Sequence, residues 1–295
     1  MTSSLFAKTT SLDRGVTISD LEFRHLRDFI NERCGIYIAD NRKYLLENRL
    51  GNRLKKLNLK NFDEYYNLLR YDPGRARELK KLFEVVTTNE TSFFRNPPQL
   101  TAFQEHVLGD ILGRGSDQGR TLRIWSAGCS TGEEPYTLAM ILLQTLGARR
   151  PLWDIKITAN DLSERVLETA RRGVYGDYAL RTTPKELVQR YFETADGVNT
   201  VRPEVRSLVS FSQINLKDAD QIKRVERSQI VFCRNVMIYF DDDMRKRLVS
   251  AFYDNLLPGG YLVIGHSESL HSISRAFTPL HFPGTIIYRK AEERA

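Results

Sequence analysis

The sequence predicts an α/β fold: a small all-helical N-terminal domain, then a doubly wound domain with an antiparallel edge hairpin and a small inserted β-subdomain. Three observations predict it. The stretch from Leu122 to Pro135 reads as a buried strand, a tight glycine turn and a helix start. Strand-like apolar runs then alternate with helical ones, as in a parallel sheet with crossover helices, and Phe277 to Arg289 closes the chain as a hairpin around Pro283-Gly284. Before residue 87 the apolar spacing is helical throughout.

A chain of 295 residues is long enough for one large domain or two smaller ones, each with its own core. No apolar run has the length needed to cross a bilayer, and the N-terminus lacks the apolar core of a signal peptide. The expectation is a cytoplasmic protein. Cys34, Cys129 and Cys233 lie far apart, which fits a reducing compartment. His25, His106, His266, His271 and His281 do not combine with them into metal-ligand spacings, so no metal is expected. The net charge of +7 favours an acidic partner.

Taken in order, residues 1–17 have no periodicity and read as a flexible tail. Residues 18–86 read as the helical domain. Ser19 and Glu22 form a capping box for a helix that buries Leu26, Phe29 and Ile30 and stops at Gly35. A second helix, from about Arg42 to Leu57, carries the stripe Leu46, Leu50, Leu54, Leu57. Arg42, Arg49, Arg53 and Lys56 form a basic stripe about 80° away, adjoining the apolar one. A solvated face is the commoner fate of such a row. A third helix follows Asn61. A fourth opens at Asp72-Pro73, as cap and first turn, and buries Leu79, Leu82, Phe83 and Val86.

Residues 87–98 read as a linker, where ligand sites often lie. Polar residues from Thr87 to Ser92 precede Phe93-Phe94-Arg95, and Pro97-Pro98 marks a break. From residue 99 a helix with Leu100, Phe103, Val107 and Ile111 leads into a Gly-rich loop, Gly113 to Gly119. After the glycine turn come a buried helix (Leu138 to Leu146), a strand from Trp153 to Asn160-Asp161, and a helix capped by Ser163 and ended by Gly173. The segment 174–212 reads as an inserted β-subdomain. In it Thr183-Pro184 and Glu186 open a helix, and two antiparallel strands flank Pro203. Then follow a strand ending at Cys233, a helix beginning at Asp241–Asp243, and a turn, Pro258-Gly259-Gly260, into the strand Tyr261–Ile264.

The glycine turn points to a nucleotide-like ligand, because a strand–turn–helix unit presents backbone N–H groups at a helix N-terminus. Its spacing is not G-x-G-x-x-G, and no G-K-[ST] follows, so neither a dinucleotide nor a P-loop phosphate is indicated. Glu133 and Glu134 at its mouth disfavour a pyrophosphate and suit a ligand with hydroxyls or positive charge. Asp161, at the tip of the second strand, stands where nucleotide-binding folds place a ribose-hydroxyl acceptor. Cys129 has no base in sequence reach and reads as a packing residue.

Three stretches in order, Thr87 to Arg95, Trp125 to Tyr136 and Phe232 to Phe240, make the chain resemble the chemotaxis receptor methyltransferases, the CheR family, from about Thr17 to Arg289. The resemblance implies a Rossmann-like methyltransferase domain over residues 99–295 that uses S-adenosylmethionine. It implies methylation of glutamate side chains on the acidic cytoplasmic helices of chemoreceptors, with S-adenosylhomocysteine as the product. It also implies that Asn89, Thr91, Arg95, Glu133 and Asp161 line the cofactor pocket, Asp161 on the ribose. Asn215, Leu216, Arg234 and Asn235 would close the adenosine end, and Arg95 and Tyr239 would sit nearest the transferring methyl. In some members the β-subdomain holds a receptor tail peptide through a long Gly-rich loop. Here Glu193 to Val198 is short, with Gly197 alone, so tight tethering is not expected. The basic stripe would guide the acidic helices in. A monomer is expected, with no nucleic-acid partner and no membrane insertion.

The chemistry fits the residues. Glutamate, with a pKa of about 4.3, is ionised at neutral pH, so transfer to it needs no general base. An Arg can bond both carboxylate oxygens, and a Tyr can donate one further hydrogen bond. Three other readings compete: an idle cofactor sensor that docks on receptors, a nucleic-acid methyltransferase, and a nicotinamide oxidoreductase. The nucleic-acid reading lacks an Asn-Pro-Pro-Tyr or Pro-Cys motif, and the oxidoreductase lacks G-x-G-x-x-G.

Overall fold

The computed structural model describes residues 16–114 and 120–292. The expected tail therefore lies almost wholly outside the described residues, as does most of the Gly113–Gly119 loop. The described chain divides into two compact units, residues 16–32 with 38–86, and residues 33–37 with 87–292.

The first unit is helical. Helix α1, Asp20–Cys34, begins with the expected capping box: Ser19 N–H donates to Glu22 Oε2 (2.8 Å) and Glu22 N–H to Ser19 Oγ (3.3 Å). A 3₁₀ turn, Asp40–Arg42, leads into α2, Lys43–Leu57. Asn61 caps α3, Phe62–Tyr71, by accepting from Glu64 N–H at 2.9 Å. Helix α4 spans Arg75–Val86. Its start differs from the Asp72-Pro73 opening, because Asp72 Oδ1 binds Gly74 N–H (2.6 Å) in a turn ahead of it. Leu26, Ile30, Leu46, Leu50, Leu54, Phe62, Tyr65, Leu69 and Leu82 are fully buried. Phe83 and Leu79 are only half-buried.

The second unit opens with α5, Pro97–Ala102. A π-helical turn, Phe103–Val107, joins it to α6, Leu108–Arg114. Its main sheet uses β1 (Thr121–Ala127), β2 (Asp154–Asp161), β6 (Val209–Gln213), β7 (Ser228–Cys233), β8 (Leu256–Ile264), β9 (Phe277–Phe282) and β10 (Thr285–Lys290) in the order β6-β2-β1-β7-β8-β10-β9. The first five pair in parallel, and β10 runs antiparallel to both β8 and β9. Leu122 and Ile124 of β1 enter one core with α7, Glu133–Leu146, while Trp125 and Ala127 enter the other with α12, Asp242–Asn255. Alternation along one strand thus buries both faces of the sheet. The chain turns outward on opposite sides of β1, which opens the crevice beyond the carboxyl ends of β1, β2 and β7.

Three expectations change. The inserted sheet has the order β3-β5-β4, from Val174–Tyr175, Phe192–Ala195 and Val198–Val201. The second half of the expected insertion is not part of it. Pro203–Arg206 is a helical turn, and β6 lies parallel on β2 as the edge of the main sheet. Helix α9, Lys185–Tyr191, starts after Pro184, and the Thr183 hydroxyl caps nothing. Pro258-Gly259-Gly260 is not a separate turn: β8 runs through it with a register shift opposite Ser228 and Ile230.

Residues 87–98 are also more than a linker, because they pack as part of the second unit. Phe93 is fully buried, edge-on to Tyr175 (4.8 Å) and Phe192 (5.0 Å). Phe94 N–H donates to Thr137 Oγ1 at 3.1 Å. Asn96, with φ 63°, stands at the N-cap of α5.

Candidate active site

The carboxyl ends of β1 and β2 are tied by backbone and carboxylate. Gly128 and Cys129 N–H both donate to the Asn160 carbonyl (2.8 and 2.9 Å). Asp161 is buried, and its two oxygens accept from Ser130 N–H (2.8 Å) and Ser163 N–H (3.0 Å). The Ser163 hydroxyl, expected to cap α8 (Glu164–Arg172), makes no cap bond. Burial pushes the Asp161 carboxyl above the usual carboxylate range, and the amides of Ser163, Ser130 and Leu162 oppose that shift. The glycines of the turn answer to packing. A Cβ on Gly128, at φ 79°, would stand 2.4 Å from a Val236 methyl, and one on Gly132, at φ 96°, would stand 2.8 Å from Ala170 Cβ.

Glu133 is the first residue of α7 and is buried, with the Thr131 hydroxyl donating to it at 2.7 Å. Burial raises its carboxyl too, against the Thr131 bond. Glu134 accepts from Ser126 Oγ (2.7 Å) and from Arg234 Nη1 (3.2 Å), forming an ion pair whose side chains are 13% and 5% exposed. Burial pushes Glu134 up and Arg234 down, and their mutual attraction works against both shifts.

Arg234 also reaches the segment before α5, donating from Nη2 to the Arg95 carbonyl at 2.7 Å. The Ser130 hydroxyl donates to the Asn89 carbonyl at 3.2 Å. Asn89, Arg95, Glu133, Asp161 and Arg234 are therefore gathered around one crevice. Arg95 donates to the Glu90 carbonyl (2.9 Å) and makes no direct ion pair among the described residues, although its charge helps to hold the Glu134 carboxyl down. Thr91 lies half-buried between Asn89 and Arg95.

The remaining expected residues divide. Asn235, at φ 59°, and Tyr239, in the 3₁₀ turn Met237–Tyr239, follow β7 directly. Tyr239 is half-buried; its carbonyl accepts from Tyr37 N–H (2.8 Å), and its hydroxyl has no protein partner among the described residues. Asn215 also holds the fold locally: its amide donates to the Arg33 carbonyl (2.7 Å) and its Oδ1 accepts from Lys217 N–H (3.0 Å). That side chain ties residue 33, and its second N–H and a second lone pair on Oδ1 stay available. Leu216 is buried in the core beside Trp125 and Met237.

The basic stripe also divides. Arg53 grips Glu78 through both guanidinium nitrogens, and the Tyr65 hydroxyl donates to the same carboxylate at 2.8 Å. Arg49 donates to the Val86 carbonyl. Both are structural cations of the first unit. Arg42, which lies in the 3₁₀ turn ahead of α2, and Lys56 are exposed.

Sequence reasoning missed three residues. Glu134, in sequence a first-turn acid, is the buried partner of Arg234. Asn160, fully buried, accepts from Trp125 Nε1 (2.6 Å) and donates to Ser212 Oγ (2.5 Å), joining β1, β2 and β6. Glu268 lies four residues beyond β8, and its strand-tip position was the only signal for it.

The donor set fits an adenosine-type cation with ribose hydroxyls. Buried carboxylates stand at the tip of β2 (Asp161) and at the start of α7 (Glu133), no Lys or Arg lies in the glycine turn, and Arg95 makes no direct ion pair among the described residues. Ser163 Oγ and Arg234 Nε are buried without a protein partner among the described residues. No His/Cys/Asp/Glu cluster suited to a metal occurs among them, and no helix there is long and apolar enough to cross a membrane.

Two family models match the chain: CheR methyltransferase, all-alpha domain, over residues 21–87, and CheR methyltransferase, SAM binding domain, over residues 89–285. The chain is 38% identical over 286 residues to a chemotaxis protein methyltransferase of Escherichia coli K12, covering 94% of this chain and 96% of that one. It is 34% identical over 276 residues to chemotaxis protein methyltransferase 2 of Vibrio cholerae, covering 93% and 94%. A chemotaxis protein methyltransferase of Salmonella typhimurium is 34% identical, with both chains fully covered.

Proposed function

Because the chain belongs to the CheR methyltransferase family, with S-adenosylmethionine as its cofactor, we propose that it methylates glutamate side chains of chemoreceptors and leaves glutamyl methyl esters. The observation that carries this reading is the set of groups at the crevice: the buried acids Glu133 and Asp161, Arg95 with no direct ion pair among the described residues, and a Cys129 thiol whose burial keeps it from acting as a base.

When bound, S-adenosylmethionine supplies a methyl group already activated by its sulfonium. Asp161 would hold the ribose hydroxyls, since each of its oxygens keeps a lone pair beyond the amide it accepts. Glu133 would favour the cationic end of the cofactor. Asn89 and Thr91 would line the pocket. Asn215, Leu216, Arg234 and Asn235 would close it at the adenosine end, Asn215 through the N–H that Arg33 leaves unused. Arg95 would take the substrate carboxylate in its planar fork and hold one oxygen in line, and Tyr239 would donate the further orienting bond. The reaction joins an anion to a cation, so Arg95 acts by alignment. Aligned approach is worth roughly 7–11 kcal/mol in favourable cases. Cys129 takes no part, because burial raises its thiol well above the usual range.

Two experiments test the reading. Incubation with methyl-labelled S-adenosylmethionine and receptor-bearing membranes should place label on protein, and mild alkali should release it as methanol. Alkali-stable label would contradict an ester. Second, Arg42→Glu with Lys56→Glu should lower the initial rate about tenfold at low salt, and the deficit should shrink as salt rises. An unchanged low-salt rate would return these two cations to a solvated face. Arg53 is unsuited to this test. Its loss would leave Glu78 buried without its cation, a cost of about 2–3 kcal/mol to the helical unit.

A further inference from the structure

The segment from Arg234 to Tyr239 carries three of the residues assigned above, yet it is irregular and includes Asn235 in the left-handed region at φ 59°. Such a segment keeps one conformation only if its surroundings over-determine it. One side chain does most of this. Glu268 Oε2 accepts from Asn235 N–H (2.9 Å) and Gly265 N–H (2.6 Å), and Glu268 Oε1 accepts from Ile238 N–H (3.2 Å). The carboxylate thus ties the end of β7 to the end of β8 beyond the sheet. The fit is close: a Cβ on Gly265 would lie 2.7 Å from Glu268 Oε2 and 2.8 Å from Asn235 N. Two further bonds complete the hold. Arg245 Nε donates to the Met237 carbonyl (2.9 Å), and Tyr37 N–H to the Tyr239 carbonyl (2.8 Å).

We propose that Glu268 is a positioning residue for methyl transfer, its carboxylate collecting the amides of residues 235, 238 and 265 so that Arg234, Asn235 and Tyr239 are presented together at the crevice. The proposal rests on the functional reading above. Amide bonds to a charged acceptor are the stronger kind, and three on one carboxylate make a rigid node. A neutral Gln in its place keeps one oxygen, enough for the two shorter bonds, and turns its NH₂ toward Ile238 N–H.

The test compares wild type, Glu268→Ala and Glu268→Gln. It reads the melting temperature, S-adenosylhomocysteine affinity by calorimetry, and kcat and KM for receptor methylation. Glu268→Ala should weaken the product complex about tenfold and lower kcat at least tenfold, with KM for receptor unchanged. Glu268→Gln, which keeps two of the three bonds, should leave both a few-fold below wild type. A Glu268→Ala protein that melts earlier but keeps wild-type kcat and affinity would overturn the proposal. If Glu268→Ala does not fold, the Gln variant decides: it should be stable, with an intermediate kcat and affinity, and values equal to wild type would overturn the proposal. A wild-type protein that neither binds the product nor methylates would fail the functional reading itself, and the proposal with it.

Discussion

Arg95→Ala should lower kcat/KM for receptor methylation about a hundredfold, equivalent to about 2.7 kcal/mol of transition-state stabilisation. The guanidinium spends one hydrogen bond on the Glu90 carbonyl, so most of its fork stays available. Its backbone is held separately, through the carbonyl that accepts from Arg234. Removing the side chain should therefore leave the fold in place and take away the carboxylate clamp. Arg95→Lys should recover only part of the loss, since a point charge cannot grip both oxygens. Initial rates of alkali-labile methyl incorporation provide the check. A near-wild-type rate in the Ala variant would remove Arg95 from the mechanism.

Arg234→Ala should be the most destabilising single change at the site, costing about 3–5 kcal/mol, because it strands Glu134 in the interior without its cation. For a domain of this size that is a fall of roughly 10 °C or more in melting temperature. The pH dependence has a definite sign. Burial already raises the Glu134 carboxyl, and losing Arg234 removes the attraction that opposes this. A carboxyl raised in the folded state favours folding below its ordinary pKa of 4.5, and that contribution is lost as pH rises through the folded value. The deficit of the variant should therefore be largest at neutral pH and shrink on acidification. Thermal melts of both proteins from pH 4 to 8 measure it. A constant or absent deficit would mean that Glu134 is solvated.

What was legible in the sequence was local. The Ser19–Glu22 capping box, the glycine turn and the Pro283-Gly284 hairpin each depend on residues within a few positions of one another, and the structure contains all three. Partnerships made across the fold were not legible. Nothing in the spacing says that Arg53 meets Glu78, that the Asn215 amide donates to residue 33, or that Glu134 meets Arg234 a hundred positions away. Strand β6 shows the same limit. Ser207 to Ser212 alternates as an edge strand should, but whether it joins the small sheet or β2 is decided by the Leu208 carbonyl accepting from Ile157 N–H. Glu268 was hidden for a further reason: its three partners are backbone amides, which leave no residue-type signature.

Every role assigned above requires the crevice beyond β1, β2 and β7 to hold S-adenosylmethionine and its demethylated product. Calorimetric titration of the purified, folded protein with S-adenosylhomocysteine tests it most directly. One site per chain is expected, with S-adenosylmethionine competing for it. Folded protein that takes up neither compound would contradict it.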